Sequence, residues 1–294
     1  MIIEILQPQR ISELGNRQNQ EDALYPPLVE ATTSTRLFVL CDGMGGHENG
    51  EVASQLVCDV LPAYLKQHWT DGVLQDDELQ DALDEVFRHI NALDDGSTRQ
   101  MGTTLTLLAL HRGGAIMAHI GDSRIYHIRP SERHSLYKSR DHSLAYDLFL
   151  SGEITQQEMA NYGKKNVITR AIMPGMERQP KLDIAHTTDI RPGDYFLLCS
   201  DGLLEHMTDG QLLTLLSTDE PDEAKRQRLI DCTQANADNH SAWLTHVSTV
   251  TPEPDDSRQK NDETTVRCNA MLYETVTAKE KESPLHRLVN WLWH

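Results

Sequence analysis

Three aspartates stand where strand-like apolar runs end, and each lies next to a glycine. Asp42 follows the run 37–41, Asp201 comes soon after the run 195–199, and Asp122 follows a third strand-like segment. An ionised carboxylate is costly to bury unpaired inside a strand, but at a strand end it can bind a divalent cation, which a glycine carbonyl can also approach. One Asp-Gly pair is typical of an ordinary turn. Three such sites, far apart in sequence, predict one acidic cluster assembled by a sheet.

A second charged group near the N-terminus consists of Arg17, Glu21 and Asp22. Its spacing allows two interpretations. A guanidinium close to two carboxylates can form a surface ion pair, which contributes little to stability. Alternatively, Arg17 binds a phosphate through two parallel hydrogen bonds, while Glu21 and Asp22 serve a metal ion and its waters.

Composition narrows the class of protein. The chain has 294 residues, 38% hydrophobic and 24% charged, so a packed core is feasible. Its net charge of −18 argues against nucleic acid or an anionic membrane as the main partner. No apolar run is long enough to span a membrane, and the N-terminus lacks the features of a signal peptide. We therefore expect a cytoplasmic protein whose cysteines are buried thiols without metal-binding spacing, namely Cys41, Cys58, Cys199, Cys232 and Cys268.

The apolar periodicity changes along the chain. It predicts helices over 50–68 and 76–93, and then strands over 103–110 and on both sides of Asp122. Consecutive strands with short turns favour an antiparallel sheet over a doubly wound one. The polar region 140–180 is a candidate for a mobile flap over a site. The other expected elements are an edge strand within 1–15, short helices over 143–150 and 155–160, strands over 182–187, 194–199 and 242–250, and helices over 209–217 and 222–235.

Several short motifs follow one another along the chain. They are Arg17 with Glu21-Asp22, Asp42-Gly43-Met44-Gly45-Gly46-His47 with Gly50-Glu51, Gly102-Thr103-Thr104, Gly121-Asp122-Ser123-Arg124, Asp141-His142-Ser143-Leu144, Asn166-Val167-Ile168-Thr169-Arg170-Ala171 and Ser200-Asp201-Gly202. In this order they resemble bacterial metal-dependent Ser/Thr phosphatases of the protein phosphatase 2C family, over roughly residues 10–250. The resemblance implies an α+β fold, a four-layer α-β-β-α sandwich of two antiparallel sheets flanked by helices, with a dinuclear metal site at one end. It also implies hydrolysis of phosphoserine and phosphothreonine in proteins by a water activated between two Mn²⁺ or Mg²⁺ ions, which reverses Ser/Thr kinase signalling.

The resemblance also implies a role for each acidic motif. Asp42 would bridge the two metals, and the Gly43 carbonyl would bind one of them. Asp201 would bind the other, and Asp122 would serve a weaker third metal. Hard oxygen ligands of this kind suit Mn²⁺ and Mg²⁺.

The same resemblance assigns the N-terminal group. Glu21 and Asp22 would supply a metal ligand and an acceptor for the attacking water, and Arg17 would hold the phosphate. Because metal ions activate the water in this scheme, no protein nucleophile is needed.

Two positions depart from the family pattern. Met44 stands where eukaryotic members have a histidine that acts as general acid, and methionine cannot donate a proton. His47 is one candidate for the general acid. Alternatively, His47 is a loop histidine held by hydrogen bonds, without a catalytic role. Glu205 stands where the family often has another aspartate, so it either reaches the third metal or caps a helix. We expect His142 to fix the base of the flap, in preference to a catalytic role.

The last metal ligand has two candidates. Asp238 is followed by Asn239 and Ser241, as the family pattern requires, and we favour it because Asn239 can orient the loop through its amide. Asp262 matches more loosely, since Glu263 replaces the amide with a charge. If Asp262 were the ligand, the core domain would extend to about residue 274.

These features predict a catalytic domain over 1–250 and an extension over 251–294. The extension reads as a linker, an extra strand over 264–274 and a short apolar helix over 285–293, which docks on its own domain or contacts a protein partner. The expected substrates are phosphorylated proteins. A non-catalytic phosphoprotein-binding module of the same fold is the main alternative, and a small-molecule phosphatase is a further one.

Overall fold

The computed structural model describes residues 1–45, 49–69, 72–94, 101–160, 162–163 and 167–252. Contacts between residues divide the chain into two units, Met1–Asp262 and Glu263–His294, and all described residues belong to the first. His47, Asp262 and the linker, strand and helix expected in the extension lie outside the described residues.

Twelve strands and six α-helices make up this part of the chain. The strands are β1 (Ile2–Ile5), β2 (Gln9–Glu13), β3 (Asp22–Tyr25), β4 (Leu37–Met44), β5 (Gly102–Thr103), β6 (Leu105–His111), β7 (Gly114–Ile120), β8 (Arg124–Arg129), β9 (His134–Lys138), β10 (Asp183–Thr187), β11 (Tyr195–Cys199) and β12 (His240–Thr251). The helices are α1 (Asn49–His68), α2 (Asp76–Asn91), α3 (Leu144–Leu150), α4 (Gln156–Ala160), α5 (Asp209–Leu216) and α6 (Asp222–Thr233).

The strands form two antiparallel sheets. One has the order β1-β12-β11-β8-β9, with β2 also paired to β12, and the other has the order β10-β7-β6-β4-β3, with β5 paired to β4. The strands predicted on both sides of Asp122 are β7 and β8, which belong to different sheets. The prediction of antiparallel sheets is therefore confirmed.

Side-chain alternation along β4 and β11 explains the four layers. Phe38 and Leu40 pack with Phe196 in the core between the sheets, whereas Val39 packs on the opposite face against α1 and α2. On β11, Leu197 faces away from that core and packs against α5 and α6. Because successive side chains of a strand point to opposite faces, each apolar strand contributes to two cores. The result is the predicted four-layer α-β-β-α sandwich.

The N-terminal segment differs from the single edge strand expected within 1–15. It forms β1 and β2, and both strands pair with β12 at different points, with Ile3 opposite Val250 and Ile11 opposite Ala242. Pro8 separates them, and proline has no backbone N–H to donate to a strand ladder. The sequence pattern also missed β9 (His134–Lys138), a short strand in which Leu136 and Tyr137 stand among polar residues and no side chain is fully buried.

The prediction of buried cysteines is correct for Cys41, Cys58 and Cys199 but wrong for Cys232, which is exposed. Cys232 lies near the end of α6, whose buried residues Lys225, Leu229 and Thr233 are spaced four apart and define its inner face. Cys268 lies outside the described residues. Within the described part of the chain, no helix has the length and apolar character needed to cross a membrane.

Candidate active site

Strand pairing brings the predicted carboxylates to one end of the sandwich. Asp22 lies directly opposite Asp42 where β3 pairs with β4. Asp122 lies in the turn between β7 and β8, Asp201 begins a 3₁₀ turn after β11, and Asp238 comes just before β12. The negative charges of the other four all act on Asp42. These five aspartates are the carboxylate cluster.

Burial and mutual repulsion raise the pKa values of this cluster. The pKa of Asp42 lies well above its ordinary value, chiefly because the carboxyl is buried and then because Asp22 and Asp201 repel its charge. Burial raises the pKa of Asp22 to about 7 and that of Asp122 to about 8. The pKa of Asp201 is also raised, by burial and then by Asp238. The cluster therefore holds more negative charge than its own surroundings neutralise.

The donor atoms of the cluster fit a hard divalent cation. Asp22 Oδ1 and Asp122 Oδ1 are buried and have no hydrogen-bond partner among the described residues. Buried polar atoms are normally paired, so oxygen atoms left in this state mark a place for a ligand that accepts their lone pairs. Carboxylate oxygens that repel one another and lack donors are the ligand type that Mn²⁺ and Mg²⁺ bind.

Gly43 and Gly50 allow the start of α1 to approach the cluster closely. A Cβ atom on Gly43 would lie 2.3 Å from the Gly50 carbonyl oxygen, and one on Gly50 would lie 3.0 Å from the side chain of Glu21. The Gly43 amide donates to the Glu21 carbonyl over 3.1 Å. Both glycines are thus required for close backbone approach, and they place the Glu21 side chain beside the end of β4.

Arg17 pairs with a residue that sequence spacing does not suggest. Its guanidinium donates to Asp238 Oδ2 over 2.8 Å, and neither Glu21 nor Asp22 forms an ion pair with it in the described structure. Of the two interpretations of this group, a local surface ion pair of Arg17 with Glu21 or Asp22 is therefore wrong. Glu21 and Asp42 still attract Arg17 electrostatically. Arg17 lies at the exposed rim of the carboxylate cluster, with a positive charge close to its acids.

Asn239 joins the loop before β12 to the N-terminal group. Its Oδ1 accepts from the Glu21 amide over 2.8 Å, and its Nδ2 donates to the Leu14 carbonyl over 2.8 Å. The backbone N–H of Asn239 donates to Asp238 Oδ1 over 2.8 Å. These bonds hold Asp238 next to the other acids, in the way the sequence interpretation of Asn239 requires.

Hydroxyl groups that the sequence analysis gave no role hold the backbone and carboxyls of the cluster. Thr104 Oγ1 accepts from the Asp42 amide over 2.9 Å, and Thr103 Oγ1 donates to the Asp42 carbonyl over 3.0 Å. Ser200 Oγ donates to Asp22 Oδ2 over 2.9 Å. All three hydroxyl residues stand in motifs already noted, so their motif membership was the available indication. Their partners, however, become visible only when the sheets are assembled.

His142 connects the turn that carries Asp122 with the flap region. Gly121 N donates to His142 Nδ1 over 3.0 Å, so the ring proton lies on Nε2, which donates to Asp183 Oδ2 over 3.0 Å. The Thr169 amide donates to the His142 carbonyl over 2.9 Å. His142 therefore joins the turn beside Asp122 to Asp183 on β10 and to Thr169, within the region 140–180 for which a flap is predicted.

His119, His142 and Asp183 lie close enough to form a possible metal-binding group, with ligand atoms within 4.8 Å of one another. Hydrogen bonding argues against this role. His142 already uses both ring nitrogens, and Asp183 accepts from Arg170 over 3.0 Å. His119 Nε2 donates to the Arg140 carbonyl over 2.7 Å, whereas its Nδ1 is buried without a partner among the described residues. His142 and Asp183 are therefore already engaged, and Arg170 supplies a positive charge to the Asp183 carboxylate.

Met44 and Glu205, the two residues that depart from the family pattern, lie in different surroundings. Met44 is half-buried and pairs with Gly102 at the end of β4, where it has no proton to donate. Glu205 turns toward the backbone of Ala237, with its Oε2 2.7 Å from that nitrogen. The roles expected for Glu205, metal binding or helix capping, thus compete with a contact to the loop that carries Asp238.

Comparison with known proteins agrees with this architecture. The family model described as Protein phosphatase 2C matches residues 12–247. Protein phosphatase PhpP of Streptococcus pneumoniae serotype 2 is 35% identical over 232 residues, which cover 75% of this chain and 88% of that protein. Serine/threonine protein phosphatase PstP of Mycobacterium tuberculosis is 35% identical over 221 residues, which cover 73% of this chain and 39% of that protein.

Solved structures show the same similarity. The crystal structure of the Mycobacterium tuberculosis serine/threonine phosphatase PstP superposes with a TM-score of 0.69 and 32% identity, covering 83% of this chain and 99% of that one. A structure of the PstP catalytic domain in complex with two manganese ions has a TM-score of 0.67 and 32% identity, with the same coverage.

Proposed function

Because the chain belongs to the protein phosphatase 2C family and is a serine/threonine protein phosphatase, we propose that it hydrolyses phosphoserine and phosphothreonine in proteins with two Mn²⁺ or Mg²⁺ ions. Its substrates would be proteins phosphorylated by a Ser/Thr kinase. The observation that supports this proposal is the carboxylate cluster at one end of the sandwich. Asp22 Oδ1 and Asp122 Oδ1 are buried there without a hydrogen-bond partner among the described residues, and burial and mutual repulsion raise several carboxyl pKa values although Arg17 lies at the rim.

The residues that would hold the metals are those of the cluster and its neighbours. Asp42 would be shared, with the Gly43 carbonyl and Glu21 on one side and Asp201 and Asp238 on the other. Asp122 would serve a weaker third ion. When bound, the ions would acidify a water molecule and neutralise charge on the phosphate.

Three further side chains would bind the phosphate and orient the attacking water. Arg17 would donate to the phosphate oxygens from the rim, because a guanidinium matches their geometry. Asp22 Oδ1, buried and unpartnered among the described residues, would accept a hydrogen bond from the attacking water. Ser200 holds the other oxygen of Asp22 and so fixes the direction of Oδ1.

The test uses a phosphothreonine peptide and p-nitrophenyl phosphate with Mn²⁺, with Mg²⁺ or with EDTA. We expect both substrates to be hydrolysed with either metal and neither with EDTA. Asp42→Asn should abolish turnover while leaving the circular dichroism spectrum unchanged, because it removes a charge that would serve both metals.

Other outcomes would identify other functions. Equal activity with EDTA and with Mn²⁺ would rule out the dinuclear mechanism. Hydrolysis of p-nitrophenyl phosphate alone would indicate a small-molecule phosphatase. Peptide binding without hydrolysis under every metal condition would indicate a phosphoprotein-binding module.

A further inference from the structure

Glu205 lies one residue beyond the 3₁₀ turn Asp201–Leu204, and its side chain reaches the loop before β12. We propose that Glu205 is a positioning residue, which holds this loop so that Asp238 stays beside Asp201. The proposal rests on the proposed metal-dependent function, because Asp201 and Asp238 would bind metal there.

The Glu205 side chain contacts the backbone of the loop before β12. Glu205 Oε2 accepts from the Ala237 amide over 2.7 Å and lies 3.5 Å from the Asp238 amide nitrogen. A carboxylate that accepts from a backbone N–H makes a charge-assisted bond, which is stronger than a neutral one. The bond acts on the residue directly before Asp238, so it sets the path of the backbone that carries the carboxylate.

The same turn holds the loop at a second point. Asn236, which is 1% exposed, donates through Nδ2 to the Gly202 carbonyl over 2.6 Å. A Cβ atom on Gly202 would lie 2.0 Å from the Asn239 carbonyl oxygen. The segments that carry Asp201 and Asp238 are therefore in direct backbone contact, and Glu205 closes one side of that contact.

The Glu205 carboxylate is directed away from a role as metal ligand. One oxygen is engaged with the Ala237 amide, and the other lies 3.8 Å from His206 Nε2. Glu205 thus contacts the loop before β12 through hydrogen bonding, on the side that supports Asp238.

The experiment uses the full-length protein and distinguishes the effect of side-chain length at position 205 from the effect of its negative charge. Calorimetric titration with Mn²⁺ compares the wild type with Glu205→Ala, Glu205→Gln and Glu205→Asp. Gln keeps an acceptor oxygen at the same reach and loses the charge, whereas Asp keeps the charge and loses the reach. Glu78→Ala is the matched control, because Glu78 Oε2 accepts from the Gln75 amide over 2.8 Å at the start of α2, on the opposite sheet.

We expect Glu205→Ala and Glu205→Asp to weaken Mn²⁺ binding about 10- to 100-fold, as losses of groups that orient metal ligands usually do. Glu205→Gln should stay within about threefold of the wild type, since a neutral acceptor keeps most of the geometry. Glu78→Ala should leave Mn²⁺ binding unchanged. At saturating Mn²⁺, the kcat of Glu205→Ala should recover, because only the positioning of Asp238 is impaired.

Each other result overturns the proposal. If Gln weakens Mn²⁺ binding as much as Ala, the charge itself is required and Glu205 acts as a ligand. If Ala binds Mn²⁺ like the wild type, the loop does not depend on Glu205. If Ala fails to fold by circular dichroism, Mn²⁺ binding by Asp that is no weaker than Mn²⁺ binding by Gln overturns the proposal. Wild-type protein that binds no Mn²⁺ would instead contradict the metal centre itself, and the role of Glu205 with it.

Discussion

The guanidinium of Arg17 is 55% exposed and donates to Asp238 at the rim of the carboxylate cluster. A cation there can meet a phosphate without first leaving a buried position. We expect Arg17→Ala to raise KM for a phosphopeptide about tenfold, while kcat and the Kd for Mn²⁺ change by less than about threefold. Arg17→Lys keeps the charge but loses the bidentate geometry of the guanidinium. Its KM should therefore lie between those of the wild type and Arg17→Ala.

Steady-state kinetics and calorimetry measure both quantities in the same variants. A loss of Mn²⁺ affinity in Arg17→Ala as large as that in Asp42→Asn would contradict the division of roles. Arg17 would then serve mainly to orient Asp238, its partner in the structure.

Asp238 and Asp262 are the two candidates for the last metal ligand. Asp238 belongs to the carboxylate cluster, whereas Asp262 is outside the described residues. We expect Asp238→Ala to lower the rate by orders of magnitude and Asp262→Ala to be nearly silent. Asn239→Ala should show an intermediate loss, because the Asn239 side chain bonds both the Glu21 amide and the Leu14 carbonyl. An inactive Asp262→Ala with an active Asp238→Ala would reverse the assignment.

At the scale of elements, His142 links the β7–β8 turn with the flap base. Its two ring nitrogens can be tested separately. His142→Asn places an oxygen near the position of Nδ1, which faces Gly121, whereas His142→Gln reaches toward Asp183 instead. We expect Gln to lower kcat/KM about tenfold, because the buried Gly121 amide would lose its partner at a cost of about 1–3 kcal/mol and the Asp122 turn would shift. Asn should retain most activity.

The measurement is kcat/KM at saturating Mn²⁺, with thermal melting as the control for folding. Equal losses in both variants would show that the bond to Asp183 matters as much as the bond to Gly121. A normal rate in the Gln variant would show that the Asp122 turn does not depend on His142.

At the scale of the whole molecule, the proposed catalytic domain can be tested by truncation. β12 ends at Thr251, and every described residue assigned to the site lies before it. A chain ending after Pro252 should therefore keep kcat/KM within about threefold of the full chain, although removal of the extension can lower its stability. Loss of activity together with loss of Mn²⁺ binding would indicate that a ligand such as Asp262 lies in the removed segment.

Buried histidines make the stability of the molecule depend on pH. Burial, and then the charges of His186 and the N-terminus, lower the pKa of His111 to about 4. Since the unfolded chain binds this proton more readily, the free energy of unfolding should fall as pH drops from about 6.5 toward 4. For His111 alone the fall between pH 7 and pH 4.5 should be about 2 kcal/mol.

Urea unfolding at pH 7 and pH 4.5 measures this effect. His111→Asn is the comparison, because its side-chain oxygen can still accept from the Gly113 amide, which now donates to His111 Nδ1 over 2.9 Å. Between pH 7 and pH 4.5, the free energy of unfolding should fall less in His111→Asn than in the wild type. The difference should be about the amount given for His111. An identical loss in both proteins would show that other groups set the pH dependence.

Most helices and strands and the class of chemistry were predictable from the sequence alone, although β9 and the division of the N-terminal segment into β1 and β2 were not. The continuous apolar run 37–41 indicates a strand buried on both faces, because successive side chains of a strand point to opposite sides and here all of them are apolar. Carboxylates at the ends of apolar runs identify Asp42, Asp122 and Asp201, because the cost of burying a charge excludes them from the interior. The motif order indicated the family, and with it the sandwich fold.

Contacts between distant side chains became visible only in the folded molecule. Arg17 pairs with Asp238, 221 residues away, and Ser200 donates to Asp22, 178 residues away. The exposure of Cys232 and the contact of Glu205 with Ala237 likewise depend on how α6 and the loop after it pack on the sheet. Local periodicity encodes which face of an element is buried, but partners across the molecule follow from the order and register of the strands, which no short stretch of sequence contains.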